Sequence, residues 1–327
     1  MDPVQAQDAH HGWVNMALDT IPRMRRSHEA PSRTPDDDLP REEAQRTLRA
    51  RLASDVAEGH IEPPLLPSVA LELMRLTSTG AADPRDLAAL IERDQMIAAK
   101  LLRAANSAMF AASREITSLG GAVNRLGVLG VRDVVLAIAL KGIVVRDEPY
   151  HRIMVRLWEH ALACAAISKL VAGLARVPTE EAFLAGLLHD IGKPTLLISL
   201  MTMNQETGGD LRDVGRAMFR IEALIDEFHT AAGTLVAERW LLPTQCRLAI
   251  AHHHAPNASR IVRVVHVADE TSRALTAERE EGAWPAMTED RIRAALEHAC
   301  LALSQREFET LLIRADKARE DAVQAFA

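Results

Sequence analysis

The stretch LLHDIGK, Leu187–Lys193, decides how the rest of the chain is read. Two leucines lead into an adjacent histidine and aspartate, followed by Gly192 and Lys193. Adjacent side chains diverge on an α-helix, so His189 and Asp190 face one ion together only near a helix end or a distortion. His160 lies upstream, and His229, His253, His254 and Asp269 lie downstream. The intervals are 29 residues from His160 to His189, 39 from Asp190 to His229, 24 from His229 to His253, and 15 from His254 to Asp269. Such separations do not make a local finger. They put the candidate ligands on different helices, which a helical core must then assemble.

The composition agrees with that core. A chain of 327 residues is long enough for two folding units, and its 48% hydrophobic content supplies ample core material. Aromatic residues make up only 3%, while Ala, Leu, Ile and Val dominate. This suits an all-α fold of closely packed helices rather than a sheet sandwich or a base-stacking platform. The formal charge of −7 argues against a large nonspecific nucleic-acid surface, and leaves a nucleotide or short RNA open. Cys164, Cys246 and Cys300 form no CxxC, so neither a disulfide framework nor a thiolate zinc knuckle is expected. No stretch near residue 1 has the sections of a signal peptide, and a cytoplasmic location is expected. The strongly apolar run Val134–Val145 is too short to span a bilayer and contains Lys141, so it reads as a core helix, with no transmembrane segment expected.

Along the chain, residues 1–40 carry several prolines, the basic cluster Arg23, Arg25 and Arg26, and the acidic run Asp36–Asp38; they read as a flexible, solvated tail. Residues 41–60 form a leading helix that ends near Gly59. Residues 61–148 make an upstream helical subdomain. In it Leu66, Val69, Leu73 and Leu76 fall at helical spacing, with Pro67 in the first turn, and Asp83 caps a helix whose first residue is Pro84. Ile97, Leu101 and Ala104 or Ala105 then share a narrow face. Asn106 and Ser107 read as hydrogen bonders at that helix's end rather than as nucleophiles. Thr117 or Ser118 starts a helix that Gly127–Gly130 break before a second, apolar segment. The pair resembles a helix-turn-helix, but Val131–Leu140 offers few base-reading side chains and is expected to pack internally. Residues 149–275 form the helical core, whose last helix spans Ile261–Leu275. Residues 276–327 form a helical extension, with Thr288–Ala302 and Arg306–Ala325 following the softer stretch Gly282–Met287.

Several ordered motifs extend the reading beyond the His-Asp pair. LLPSVALELMRL, LIERDQMIAAKLLRAANSAMF and ITSLGGAVNRLGVLGVRDVVLAIA lie upstream, and RLWEHALACAAISKL, AFLAGLLHDIGK, EFHTAAGTLVAERWLLP, AIAHHHAP and VVHVADETSR lie downstream. Over about residues 61–275 the chain resembles the HDOD family, a branch of the HD phosphohydrolase superfamily. That resemblance implies a multi-helical fold in which an upstream subdomain packs on an HD-like core. It also implies that His160, His189, Asp190 and Asp269 are metal ligands, and that His229, His253 and His254 correspond to the extra ligands of binuclear HD-GYP phosphodiesterases. One or two divalent ions would fit, with Fe, Mn or Zn suiting imidazole and carboxylate donors. In a catalytic reading Asp190 bridges two ions and Lys193 stabilises phosphate charge. The competing reading for His189 and Asp190 is a satisfied structural hydrogen-bond pair, for His160 and Asp269 a contact that holds neighbouring helices together, for His229 a polar helix face, and for Lys193 a surface or capping role. His252 is assigned to the surface or to a supporting position. Two departures matter: the HHH run is followed by APNASR rather than by a GYP-bearing loop, and Arg156 stands where some multinuclear relatives supply a carboxylate.

Two functions follow. The favoured one is an HDOD signalling or regulatory output protein that acts through protein contacts, with or without a bound metal. The alternative is a metal-dependent phosphohydrolase or phosphodiesterase acting on a nucleotide or cyclic nucleotide. A signalling protein is the expected partner; oligomerisation remains open, and nucleic acid is the weaker alternative.

Overall fold

Acidic caps and glycine breaks set the helix boundaries in the computed structural model, which describes residues 39–78, 82–110, 114–144, 151–206, 214–256, 259–281 and 288–327. The tail clusters Arg23–Arg26 and Asp36–Asp38, and the stretch Gly282–Met287, lie outside the described residues. Thirteen α-helices and no strand occur among the described residues: α1 Leu39–Ala57, α2 Ser68–Ser78, α3 Pro84–Glu92, α4 Gln95–Ala105, α5 Leu119–Val144, α6 His151–Ala175, α7 Thr179–Leu188, α8 Gly192–Glu206, α9 Val214–Arg239, α10 Thr244–His252, α11 Arg260–Glu281, α12 Thr288–His298 and α13 Gln305–Ala325. The fold is all-α. Residues 48–327 form one compact unit; of the other, Met1–Thr47, only the start of α1 is described.

The upstream helices begin where their side chains can replace missing backbone partners. The Asp83 carboxylate accepts the Arg85 amide at 2.7 Å ahead of Pro84, and Asp94 accepts the Met96 and Ile97 amides at 3.0 Å each. Pro67 sits just ahead of α2, where its carbonyl accepts the Ala70 and Leu71 amides. At the other end of α4, Asn106 clamps the chain: its Nδ2 donates to the carbonyls of Leu102 and Ile116, and its Oδ1 accepts the Ile116 amide. Ser107 Oγ donates to the Ala104 carbonyl at 2.7 Å. Both side chains are therefore committed to the backbone.

Gly127 interrupts α5 with φ +71°, a conformation that L side chains rarely adopt. Beyond it every residue from Val131 to Leu140 is buried, including the Arg132–Asp133 ion pair. A segment buried on all sides cannot enter a DNA groove, which disposes of the helix-turn-helix resemblance. The helices α6 and 179–203 have the length and apolar composition of membrane-crossing segments, but 56% and 89% of their most apolar windows are buried inside the fold, which accounts for that composition.

Two apolar bodies share α6 and α7. The first joins α2–α5 to α6–α10 through residues such as Leu73, Leu101, Leu136, Leu188, Leu196 and Ile250. The second joins α6 and α7 to α11–α13 through Ile167, Val265, Leu296, Phe308 and Leu311. Here α11 continues to Glu281, past the expected end at Leu275, so the extension begins within a helix. The last residues return to the first body. Phe326 meets Trp158 edge-on at 6.3 Å, and Lys141 Nζ donates to the carbonyls of Phe326 and Ala327.

Candidate metal centre

Close backbone packing fixes the turn that carries the His-Asp pair. Helix α7 ends at Leu188 and α8 begins at Gly192, so His189 and Asp190 occupy the break and both turn inward. Glycine is required at the crossing: a Cβ on Gly192 would lie 1.9 Å from the His229 carbonyl oxygen and 2.7 Å from the Gly233 nitrogen. The approach of α8 to α9 is what brings His229 to Asp190. His160 comes from α6, His253 and His254 from the end of α10, and Asp269 from α11. All seven candidate ligands therefore converge from four helices and one turn, and His252 lies exposed outside these groups.

Their donor atoms form two adjoining sets that share Asp190. On one side, Asp190 Oδ2 lies 3.4 Å from His189 Nε2 and 3.8 Å from His160 Nε2, and Asp269 Oδ1 lies 3.1 Å and 3.7 Å from the His160 and His189 nitrogens. On the other side, Asp190 Oδ1 lies 3.3 Å from His229 Nε2 and 3.4 Å from His253 Nε2. His254 Nε2 completes that set at 3.0 Å from His229 Nε2. Donors bound to one ion at about 2.0–2.2 Å are separated by roughly 3.0–3.6 Å, so most of these separations have ligand spacing, and those of 3.7 and 3.8 Å lie just beyond it.

The imidazoles are oriented from outside. His189, His229 and His253 each place Nδ1 on a backbone carbonyl, of Gly186, Asp226 and Ala249 respectively, and His160 Nδ1 meets Ser272 Oγ at 3.1 Å. A proton on Nδ1 leaves the Nε2 lone pair facing the centre. His229 Nε2 and His253 Nε2 then face each other at 3.3 Å, a contact that either a shared proton or a bound ion would satisfy. The buried His160 Nε2, His189 Nε2, both Asp190 oxygens and Asp269 Oδ2 make no aligned hydrogen bond. Their remaining contacts are at ion-pair distance, Lys193 Nζ to Asp190 Oδ2 at 2.9 Å among them. Orphaned donors of this chemistry fit a divalent ion.

The charges agree with the ligand geometry. Burial, with Lys193 and His253 alongside, pushes the His229 imidazole down to about 4 despite Asp190. Burial and the neighbouring His253 and His229 push His254 down to about 4 as well. Both rings are neutral at pH 7, the form that binds metal. Burial would raise Asp190, but His189, His253 and Lys193 hold it well below the usual carboxylate range. Burial likewise opposes charge on His189, yet Cys164, Asp190 and Asp269 raise its pKa well above the ordinary value, so ion binding there displaces a proton.

Three supporting residues escaped the sequence reading. Arg273, one turn beyond Asp269, donates Nε to Asp269 Oδ1 at 2.8 Å; the i,i+4 spacing in ADETSR was the available signal. Asp226, three residues before His229, joins Asp190 in holding Lys193 Nζ, at 3.1 and 2.9 Å. His266 Nδ1 meets the His253 carbonyl at 2.9 Å and braces the turn after α10. Lys193 is buried at the centre, not placed at the surface. Arg156 pairs with Glu222 at 3.0 Å and supplies no ligand.

An all-helical scaffold with a His-Asp turn and imidazoles from neighbouring helices defines an HD-type protein. The HDOD domain profile matches residues 64–256, more than half of the chain, and the chain belongs to the HDOD family. It is 26% identical over 257 residues to an uncharacterised protein of Treponema pallidum (strain Nichols), covering 73% of this chain and 48% of that one; the chain thus spans about half the length of this relative. The fold is similar to that of a protein from Shewanella amazonensis SB2B provisionally assigned to the metal-dependent phosphohydrolases (TM-score 0.68, 15% identity, covering 86% of this chain and 99% of that one). It is also similar to a protein from Marinobacter aquaeolei VT8 provisionally assigned to signal transduction (TM-score 0.58, 23% identity, 86% and 66% covered). Both likenesses concern the fold.

Proposed function

We propose that this chain is a regulatory HDOD protein that acts through contacts with a signalling partner, and that its His-Asp centre holds a divalent ion as a structural clamp. The observation that carries this reading is the narrowness of the cleft on the α5 side of Asp190. The cleft there is walled by Leu140 and Val144 of α5, Leu157 and Trp158 of α6, and Leu187, Ile191 and Pro194, and its free volume is about 20 Å³. That admits roughly one water, whereas sites for drug-sized ligands measure about 300–1,000 Å³. The upstream helix α5 supplies one wall, so the extra helical layer of this family closes on the centre. Its remaining surface is free to serve a partner, and the assignment of the Marinobacter aquaeolei protein agrees. His160, His189, Asp190, His229, His253, His254 and Asp269 are the proposed ligands, with Fe, Mn or Zn matched to their nitrogen and oxygen donors.

The second reading, a phosphoesterase acting on a nucleotide, is favoured by a different edge of the centre. His254, Asp226 and Arg273 reach solvent there, and Arg273 and Lys193 bring positive charge. A bound ion would supply Lewis-acid chemistry toward a phosphate at that edge.

The discriminating experiment incubates untagged protein, loaded with Mn²⁺ or Zn²⁺, with a panel of phosphomonoesters, nucleotides and cyclic nucleotides. The regulatory reading expects no turnover above that of Asp190→Asn, together with a lower melting temperature after chelation. Turnover that disappears in a folded Asp190→Asn protein would establish the enzyme instead.

A further inference from the structure

Three cationic side chains meet at a small cleft on a different face of α5 from the one, Leu140 and Val144, that walls the cleft beside Asp190. Lys100 and Arg103 of α4, Lys141 of α5, and Phe326 and Ala327 surround it over Ile138, and its free volume is about 50 Å³. Lys100 and Arg103 stand one turn apart on the same side of α4. Lys141 Nζ donates to the carbonyls of Phe326 and Ala327, which leaves one of the three ammonium N–H groups for a ligand. Burial, with Lys100 and Arg103 alongside, holds the Lys141 pKa below its ordinary value. No acidic residue lines the cleft, and the side chains of Lys100 and Arg103 make no hydrogen bond or ion pair with the described residues. Placement at helix ends accounts for these charges one at a time: Arg103 is in the last turn of α4 and Lys141 in the last turn of α5, where the helix dipole favours a cation. It does not account for like charges from two helices facing one cleft, where each raises the cost of the others.

We propose that this cleft binds a phosphate group, free or at the end of a small ester, held jointly by Lys100, Arg103 and Lys141. A water needs roughly 10–15 Å³ of free volume, so the cleft accommodates about four water-sized groups, as many as phosphate has oxygens. The planar fork of Arg103 suits two of those oxygens, and the two ammonium groups act as point charges on the rest. A carboxylate, with one charge and two oxygens, would leave part of the cationic cluster unmatched. Arg103 is exposed, so the body of an ester has an open side on which to lie outside the cleft. The site goes beyond the regulatory reading above and does not depend on a bound metal.

The test is calorimetric titration of the full chain, treated with chelator and kept at constant chloride concentration, with inorganic phosphate. Saturable binding at one site is expected. Lys141 also anchors the last residues, so the two α4 positions carry the test: Lys100→Gln and Arg103→Gln should each weaken binding by about tenfold, with circular dichroism as the control for folding. Arg273→Ala, which removes a cation beside the His-Asp centre, should bind phosphate as the parent does. Absence of saturable binding overturns the proposal, and so does binding that is unchanged in folded Lys100→Gln and Arg103→Gln or lost in folded Arg273→Ala. Competition with adenosine 5′-monophosphate separates the two sources of the group: displacement of phosphate assigns the cleft to esters, and failure to displace it assigns the cleft to the free ion.

Discussion

Helices α8–α10 and helix α11 reach the same centre by different means, and the difference shows which ligands are fixed before any ion arrives. On the first body, Gly192 and Gly233 let α8 and α9 touch backbone to backbone, and Gly233 also sits against Ile250 of α10. His229 and His253 are therefore placed by main-chain contacts and turned by Nδ1 bonds to their own helices' carbonyls. On the second body, α11 reaches the centre through the side chains of Asp269, Ser272 and Arg273, and those side chains have protein partners already. One half of the site is thus held by backbone geometry and the other by exchangeable ion pairs.

The largest effect should come from breaking the backbone half. In Gly192→Ala the new methyl group would meet the His229 carbonyl oxygen at 1.9 Å, and that atom cannot rotate away. A loss of about 4 kcal/mol or more, or failure to fold, is expected. Gly173→Ala is the natural control, since its Cβ would meet nothing within 4 Å on an exposed face of α6. Chemical denaturation of both variants tests the contrast, and equal midpoints would refute it.

Acid should act next. In the ion-free protein the His229 pKa falls from 6.5 to about 4, so between these values the unfolded chain binds a proton that the fold refuses. Stability from this group is fully present above pH 6.5 and is lost as the pH falls through 4, by about 3 kcal/mol. Asp190 and Asp269, held well below 3.8, add losses of the same sign at lower pH. His189 has the opposite sign: its raised pKa stabilises the fold at low pH, and that contribution fades as the pH rises through the raised value. Denaturation between pH 4 and 7 should therefore show His229→Ala losing a clear part of the slope, with His254, also held at about 4, supplying a further part of the same sign. An unchanged slope would mean that His229 is not shielded from protons.

Most of this arrangement is legible in the chain because local patterns carry it. Asp83 before Pro84, the Gly127 break and the Asn106–Ser107 end are each decided within a few residues, and the backbone has few alternatives there. The seven candidate ligands stand in recognisable motifs. What escapes is the chemistry between helices. Gly192 and Gly233 look like ordinary glycines until α8 and α9 are brought together, and Lys193 could sit at the surface until Asp226, 33 positions later, closes on it. The continuation of α11 beyond Leu275 and the return of Phe326 to Trp158 likewise depend on partners far away in sequence.

Far from the centre, the first body repeats its use of the backbone at Asn106. Asn106→Ala would strip partners from both the amide and the carbonyl of Ile116, which are half-buried. A loss of about 2 kcal/mol is expected. Asn106→Asp should recover only the bond that accepts the Ile116 amide, and so should fall between the two in thermal melting. A variant as stable as the parent would mean that water replaces the clamp.

The smallest effect belongs to the second body, at the start of α13. Ser304 Oγ accepts the Glu307 amide, and Glu307 Oε2 accepts the Ser304 amide at 2.8 Å, a reciprocal capping box. Ser304→Ala removes the hydroxyl but leaves the Glu307 carboxylate on the Ser304 amide, so about 1 kcal/mol should be lost. Phe308 beneath remains buried and covered by Arg293, whose guanidinium lies 4.0 Å from the ring centroid, so the helix keeps its seat. The melting temperature should fall by about 2 °C while metal content stays unchanged. Loss of the ion in this variant would show that α13 controls the centre through α11, and would erase the distinction between a backbone-fixed half and a side-chain-held half.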